Sequence, residues 1–115
     1  MKFDTNKPIY RQLTDFCISR IDSGEWLADD RIPSTTDLAV RLAVNNRTGI
    51  KAYDELAEAG IIYQRRGMGY YVAADAREKI ADQRRAEFLN EILPDVAERM
   101  RALGLTLSDI APYLP

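Results

Sequence analysis

The sequence predicts a mainly α-helical domain with one small β-hairpin, followed by a short helical tail. Apolar residues recur at helical spacing from Ile9 to Ile21, and again in two segments that meet at Val44. Two β-prone runs, 61–64 and 70–72, are separated by five residues that include two glycines, which favours a hairpin. A helix, a tight turn, a second helix and a hairpin in this order are typical of a winged helix-turn-helix.

The length of the chain limits its domain organisation. A chain of 115 residues has room for one compact domain and an appendage, but not for two full cores. We therefore assign residues 1–74 to the winged helix-turn-helix and residues 75–115 to a helical dimerisation tail. No apolar run approaches the roughly 20 residues that span a bilayer, and no secretory signal follows Lys2. We expect a cytoplasmic protein with no membrane partner.

The composition argues against an enzyme. The chain lacks histidine and has one cysteine, Cys17, so it has no intramolecular disulfide and no Cys/His metal site. The missing histidine removes the commonest general base at neutral pH, and the sequence contains no phosphate loop. We expect neither catalysis nor a bound cofactor or metal. Cys17 lies among Phe16, Ile18 and Ile21, which indicates a buried thiol in a core.

The first predicted helix opens the winged domain. Pro8 suits the first turn of a helix, and Ser23 with Gly24 suits its end. The two large apolar residues that follow, Trp26 and Leu27, are expected to pack under the fold.

The next two helices form the predicted helix-turn-helix. Ser34 stands three residues before Asp37, a capping-box pattern that begins a short helix. Asn45 or Asn46 is a good cap for the following helix. Gly49 in its second turn allows either close packing against a neighbouring element or close approach to DNA. The apolar face of this helix is expected to bury Ile50, Tyr53, Leu56 and Ala57.

The tail carries apolar residues at helical spacing, interrupted by Pro94. Ser108 is expected to cap a last turn. The tail is too apolar to stand in water alone and too short for a core of its own. It either folds back on the winged domain or pairs with a second copy, and pairing is favoured because such modules read two half-sites as dimers. The predicted dimer interface comprises Ile80, Phe88, Leu89, Ile92, Leu93, Val96, Met100 and Leu103.

The charge of the chain is unevenly placed. The formal net charge is −2, which alone argues mildly against nucleic-acid binding. Between Leu38 and Tyr53, however, the charged residues are Arg41, Arg47 and Lys51, with no acid. The hairpin adds two arginines. A phosphate-facing surface needs only local cations, so this segment and the hairpin are its predicted location.

In these segments the chain resembles the GntR family of bacterial transcription regulators, and more narrowly its YtrA-type branch with a short helical tail. The resemblance rests on residues 6–13, Ile32-Pro33-Ser34, residues 52–56, residues 60–62, residues 67–72 and the tail segments 88–94 and 103–107. It implies a sequence-specific transcription regulator, a repressor, that binds a palindromic operator in double-stranded DNA as a homodimer. Whether a small-molecule effector binds stays open, and such a site would lie at the dimer junction.

The resemblance also implies which residues meet DNA. Arg47 suits two-pronged contact with guanine, and Asn45 or Asn46 suits adenine unless it serves only as a cap. Thr36 stands where the family often has an arginine, and Ile50 stands where a later family arginine falls. The predicted DNA-binding residues are Ser34, Thr36, Asn45, Asn46, Arg47, Thr48, Lys51, Arg65, Arg66 and Gly67.

A winged-helix module that binds protein without specific DNA recognition is the alternative. The basic hairpin and the acid-free segment argue against it. Salt distinguishes the two, because binding to phosphates releases counterions and weakens steeply as salt rises.

Overall fold

The computed structural model describes residues 6–115 of the chain. It divides into two compact units, one up to Ile80 and one from Ala81 to Pro115. The predicted fold class is confirmed: helices dominate, two strands form an antiparallel hairpin, and a helical tail follows. The elements are α1 (Ile9–Asp22), α2 (Thr35–Leu42), α3 (Asn46–Glu58), β1 (Ile62–Arg65), β2 (Gly69–Val72), α4 (Ala76–Glu87), a π-helical segment (Phe88–Ile92), α5 (Leu93–Leu103), α6 (Leu107–Ile110) and a 3-10 turn (Ala111–Tyr113).

The first unit is built around one apolar core. Every element from α1 to α4 contributes to it, and Cys17 lies inside as predicted. Burying one valine, leucine or isoleucine side chain stabilises the folded state by roughly 1.5–3 kcal/mol. The core therefore fixes the positions of α2, α3 and the hairpin relative to α1. Its buried members are Cys17, Ile21, Ile32, Leu38, Tyr53, Leu56, Ile61, Ile62, Val72, Ala76 and Ile80.

The placement of Ile80 corrects a prediction. Ile80 was assigned to the dimer interface, but it is 1% exposed and belongs to the core of the first unit. Ala76 and Ile80 are four residues apart, so they share one face of α4, and both are buried. The first unit thus extends beyond the boundary predicted after residue 74.

Three further expectations were wrong. Trp26 does pack, edge to face with Phe16 at 6.5 Å between ring centroids, but Leu27 is 57% exposed in the turn that follows. Ile50 is also exposed, because the buried face of α3 runs through other residues. In the tail, Thr106 and not Ser108 caps α6, through a capping box with Asp109.

A side-chain hydrogen bond caps the start of α2 and another caps the start of α3. The Ser34 hydroxyl accepts a hydrogen bond from the Asp37 amide at 3.1 Å, and the Asn45 side chain accepts one from the Arg47 amide at 2.8 Å. Asn45 is therefore the cap of α3. A Cβ at Gly49 would lie 3.1 Å from the Thr35 carbonyl oxygen, so close packing of α3 on the start of α2 accounts for this glycine.

Tyr53 ties α3 to its neighbours. Its side chain is fully buried, and its hydroxyl donates a 2.6 Å hydrogen bond to the Pro33 carbonyl just before α2. Its ring meets Tyr70 of β2 edge to face, with centroids 5.0 Å apart. The Tyr53 side chain thus connects α3 both to the segment that precedes α2 and to the hairpin.

Replacing Tyr53 by Phe tests this connection. We expect Tyr53→Phe to lower the free energy of unfolding by about 1–2 kcal/mol, because the Pro33 carbonyl loses its buried donor. Chemical denaturation measures the change. Tyr113→Phe is the matched control, since Tyr113 is 86% exposed and its hydroxyl should contribute nothing measurable. Equal stability of the two variants would contradict a role for the Tyr53 hydroxyl.

The buried thiol predicts a loss of stability at alkaline pH. Burial raises the pKa of Cys17 from 9.0 to about 12, because a thiolate would lose its hydration in the core. Above pH 9 the unfolded thiol ionises and the folded one does not, so this contribution to stability is lost as the pH rises from about 9 towards 12. Burial also raises the pKa of Tyr53, which acts in the same direction.

Thermal unfolding at pH 8, 9.5 and 10.5 measures this effect. We expect the midpoint to fall across the series, and to fall less in Cys17→Ala, which lacks the thiol. A midpoint that drops equally in both proteins would show that Cys17 does not contribute.

Candidate nucleic-acid interface

Helix α3 has one buried face and one exposed face. The buried face consists of Gly49, Ala52, Tyr53 and Leu56. No acid occurs between residues 45 and 53, whereas Asp54 and Glu58 follow on the exposed side. The first two turns of α3 are therefore the part suited to a polyanion. We call their exposed side chains the α3 surface: Asn46, Arg47, Ile50 and Lys51.

The starts of α2 and α3 lie close together. The Thr36 hydroxyl is 3.5 Å from the Asn46 side-chain oxygen, so two predicted DNA-binding residues from different helices meet. The first turn of α3 carries no acid, which leaves the positive end of the helix dipole without an acidic side chain. Backbone amides at such an end bind phosphate oxygens. Thr48 is half-buried in this first turn.

The two cations of the α3 surface differ in their freedom. Within residues 6–115, the Arg47 side chain is exposed and has no hydrogen-bond or ion-pair partner. The Lys51 ammonium lies 4.0 Å from the centroid of the Tyr10 ring of α1, a cation–π contact. Arg47 is therefore the cation available for a directional contact, and Lys51 is held on the side of α1.

The hairpin presents arginines at its tip. β1 pairs with β2 so that Arg65 stands opposite Gly69, and Arg66, Gly67 and Met68 form the exposed turn. Gly67 has a φ of +75° and a Cβ there would meet nothing within 4 Å. The turn thus requires glycine because of its positive φ, and not because a side chain would collide with the rest of the domain.

Arg65 is positioned by an aromatic platform. Tyr63 and Tyr71 stack with ring centroids 5.7 Å apart, and the Arg65 guanidinium carbon lies 4.7 Å from the Tyr71 centroid. The Tyr63 hydroxyl donates a 2.9 Å hydrogen bond to Asp29. Stacking on two rings limits the rotamers of Arg65, whereas Arg66 is exposed and, within residues 6–115, has no such partner.

Arg31 also belongs to this region, although no local pattern in the sequence predicts it. The segment before α2 runs along β2: the Ile32 amide bonds the Tyr70 carbonyl at 2.9 Å, and Arg31 pairs with Tyr71 in a β-bridge. The Arg31 guanidinium Nε lies 3.2 Å from the position of a Cβ on Gly69. The exposed arginines of the hairpin region, which we call the wing surface, are therefore Arg31, Arg65 and Arg66.

A cavity of about 330 Å³ lies elsewhere in the first unit. It contains no residue of α2 or α3, and its walls are apolar apart from Arg77. The Arg77 guanidinium already donates to the carbonyls of Ile21 and Asp22 at 3.4 and 3.1 Å. Its lining residues are Ile21, Trp26, Leu27, Ala28, Val72, Ala73, Ala74, Ala76 and Arg77.

The second unit has no buried side chain between Ala81 and Pro115. Pro94 stands in the first turn of α5, directly after the π-helical segment, so the predicted interruption of the helix is confirmed. Most of the residues predicted for the dimer interface are exposed, and Met100 is half-buried. We call the exposed members the tail surface: Phe88, Leu89, Ile92, Leu93, Val96 and Leu103.

Residues 6–115 contain neither a metal-binding cluster nor a membrane-spanning helix. In this part of the chain, His, Cys, Asp and Glu side chains nowhere gather in a group of three or more that would hold a metal ion. Its helices are all too short or too polar to cross a membrane.

Comparisons with known sequences place the chain in a family. Residues 9–72 match the family described as bacterial regulatory proteins, gntR family. The HTH-type transcriptional regulator YhcF of Bacillus subtilis is 33% identical over 109 residues, which cover 95% of this chain and 88% of YhcF. The HTH-type transcriptional repressor YtrA of the same organism is 32% identical over 78 residues, which cover 68% of this chain and 60% of YtrA.

Solved structures agree with the sequence comparisons. A GntR family transcriptional regulator from Listeria monocytogenes has a TM-score of 0.75 at 33% identity and covers 96% of each chain. The DNA-binding domain of AraR in complex with operator ORX1 has a TM-score of 0.56 at 33% identity, covering 58% of this chain and 81% of that one. The resemblance found in the sequence is confirmed: the chain belongs to the GntR family of transcription regulators, with YtrA among its relatives, and it carries that family's DNA-binding domain and is not an enzyme.

Proposed function

We propose that this protein is a homodimeric repressor that binds a palindromic operator, with the α3 surface in the major groove and the wing surface beside it. The observation that carries the proposal is the acid-free first half of α3, from which an exposed Arg47 projects without a partner among residues 6–115. Helices of winged domains enter the major groove by this end. The chain's likeness to the AraR domain, solved with its operator, supports the same placement.

Each proposed contact follows from side-chain chemistry. Arg47 reads guanine through its two-pronged donor set, and Asn46 reads adenine. Asn45 is engaged as the cap of α3, so its contribution to DNA binding is to hold the start of the helix. The remaining proposed residues bind phosphates or the minor groove: Ser34, Thr36, Thr48, Lys51, Arg31, Arg65, Arg66 and the backbone at Gly67.

The tail surface is the proposed dimer interface. An isolated unit with no buried side chain gains little from folding, and its exposed apolar residues lie at helical spacing on α5 and the segment before it. A second copy provides an identical apolar surface, as expected for a two-fold interface. Two copies supply the two reading helices that a palindromic operator requires.

The repressor role rests on relatives. YtrA of Bacillus subtilis, at 32% identity over 78 residues, is named a transcriptional repressor. A dimer that covers two adjacent half-sites would block other proteins from the same DNA. Reporter transcription with and without the protein, on a promoter carrying the selected operator, tests the sign of regulation.

Substitution of Arg47 tests whether α3 contacts bases in the major groove. We expect Arg47→Ala to weaken operator binding more than tenfold, because a bidentate contact to guanine contributes roughly 1–3 kcal/mol. Arg47→Lys is the matched variant: it keeps the charge but loses the planar fork. It should lose specific binding while keeping the affinity for non-specific DNA and its salt dependence.

Fluorescence anisotropy at several salt concentrations measures these affinities. If Arg47→Lys binds the operator as tightly as the wild type, Arg47 contacts a phosphate and not a base. If Arg47→Ala binds as tightly as the wild type, Arg47 does not contact the DNA. Non-specific binding that does not weaken with salt would favour a protein-binding module over a DNA-binding one.

Substitution of Leu89 tests the tail. Leu89 is 52% exposed, so Leu89→Glu leaves the winged core intact but places a charge on the proposed interface. We expect the dimer to dissociate at least ten times more readily, because burial of a leucine contributes about 1.5–3 kcal/mol. Point substitutions are preferable to truncation after Ala74, which would remove Ala76 and Ile80 from the core.

Sedimentation equilibrium measures the oligomeric state. Asn90→Asp is the control, because it adds the same negative charge at the neighbouring polar, exposed position. An unchanged dimer in Leu89→Glu would exclude the tail surface as the interface.

A further inference from the structure

We infer that Ile50 determines operator specificity by contacting the 5-methyl group of a thymine in each half-site. The inference rests on the proposed DNA-binding function and names one base within the site that α3 reads.

Ile50 lies on the α3 surface and not in the core. It is 42% exposed, because Gly49, Ala52 and Tyr53 form the buried side of the helix here. Ile50 is one helical turn after Asn46 and three residues after Arg47, so the three side chains share one face. Nothing in the apolar core of the first unit requires a branched aliphatic side chain at this position.

The exposure of Ile50 does not by itself indicate a binding site, since single apolar residues are common on protein surfaces. The residues around Ile50 indicate what it would contact. Towards the start of the helix they are the polar Asn46 and the cationic Arg47, and the first acid, Asp54, follows one turn later. The part of this surface that precedes Asp54 therefore suits a duplex. β-branched residues have a lower helix propensity than lysine or glutamine, and a phosphate would gain nothing from an aliphatic partner. Ile50 is therefore unfavourable here unless it meets an apolar group.

The major groove presents one apolar group on its base edges, the thymine 5-methyl. The rise of an α-helix is about 1.5 Å per residue, so the Ile50 Cα lies about 4.5 Å further along the helix than that of Arg47. Successive bases of one strand are spaced by about 3.4 Å. The thymine should therefore lie within about two base pairs of the guanine that Arg47 reads.

Deoxyuridine substitution tests the contact, because uracil lacks only the methyl group. The operator is first selected from random DNA with the full-length protein, and each thymine of a half-site is then replaced by deoxyuridine in turn. We expect one replacement, near the Arg47 position, to weaken wild-type binding about fourfold per half-site, the effect of one buried methyl group. Ile50→Ala should bind less tightly and be indifferent to that replacement.

Ile50→Val is the matched variant, because it keeps a branched side chain and should retain sensitivity to the missing methyl. Thermal unfolding of all three proteins checks that the fold is unchanged. If wild type and Ile50→Ala respond identically to deoxyuridine at every thymine, the inference fails while the proposed function stands. If no operator emerges from selection and Arg47→Lys binds DNA as the wild type does, the proposed function fails with it.

Discussion

The close packing of α3 against the start of α2 decides which residues of this domain face outward. Gly49 brings the α3 backbone against the Thr35 carbonyl, and the Tyr53 hydroxyl binds the Pro33 carbonyl on the same side. Together they fix the rotation of α3 about its own axis, so Arg47 and Ile50 are exposed. A rotation of α3 by one residue, about 100°, would replace the set of side chains that α3 exposes.

The charge pattern of α3 is the reverse of what would stabilise the helix. Its first turn has no acid and its last turn has no base, whereas a helix gains about 0.3–1 kcal/mol from acids near its N-terminus and cations near its C-terminus. Asp54 and Glu58 instead occupy the second half. The pattern lowers local stability but leaves the N-terminal end positive, as a phosphate-binding surface requires. Such local departures from stability rules are typical of functional sites.

Much of the winged domain could be predicted from local signals. The Ser34 cap, the end of α1 at Ser23 and Gly24, and the hairpin each follow from a few neighbouring residues, and the structure contains all of them. Three features could not be predicted in this way, because each depends on contacts distant in sequence. Ile80 packs into a core formed by earlier elements, Arg31 joins the hairpin through pairing with Tyr71, and the exposure of Ile50 depends on the rotation of α3. Periodicity identifies an apolar face but not which of its edge residues stay exposed.

The tail differs from the winged domain in how much apolar surface it buries within one chain. Between Ala81 and Pro115 no side chain is buried, so these helices lack the apolar burial that stabilises most helices in water. If the tail surfaces of two copies pair as proposed, the order of the tail and the formation of the dimer are one equilibrium, and both depend on protein concentration. Each winged domain, in contrast, has a complete core within its own chain. Affinity for a single half-site should then be a property of the monomer, whereas affinity for the palindrome should fall steeply once the concentration drops below that of dimer dissociation.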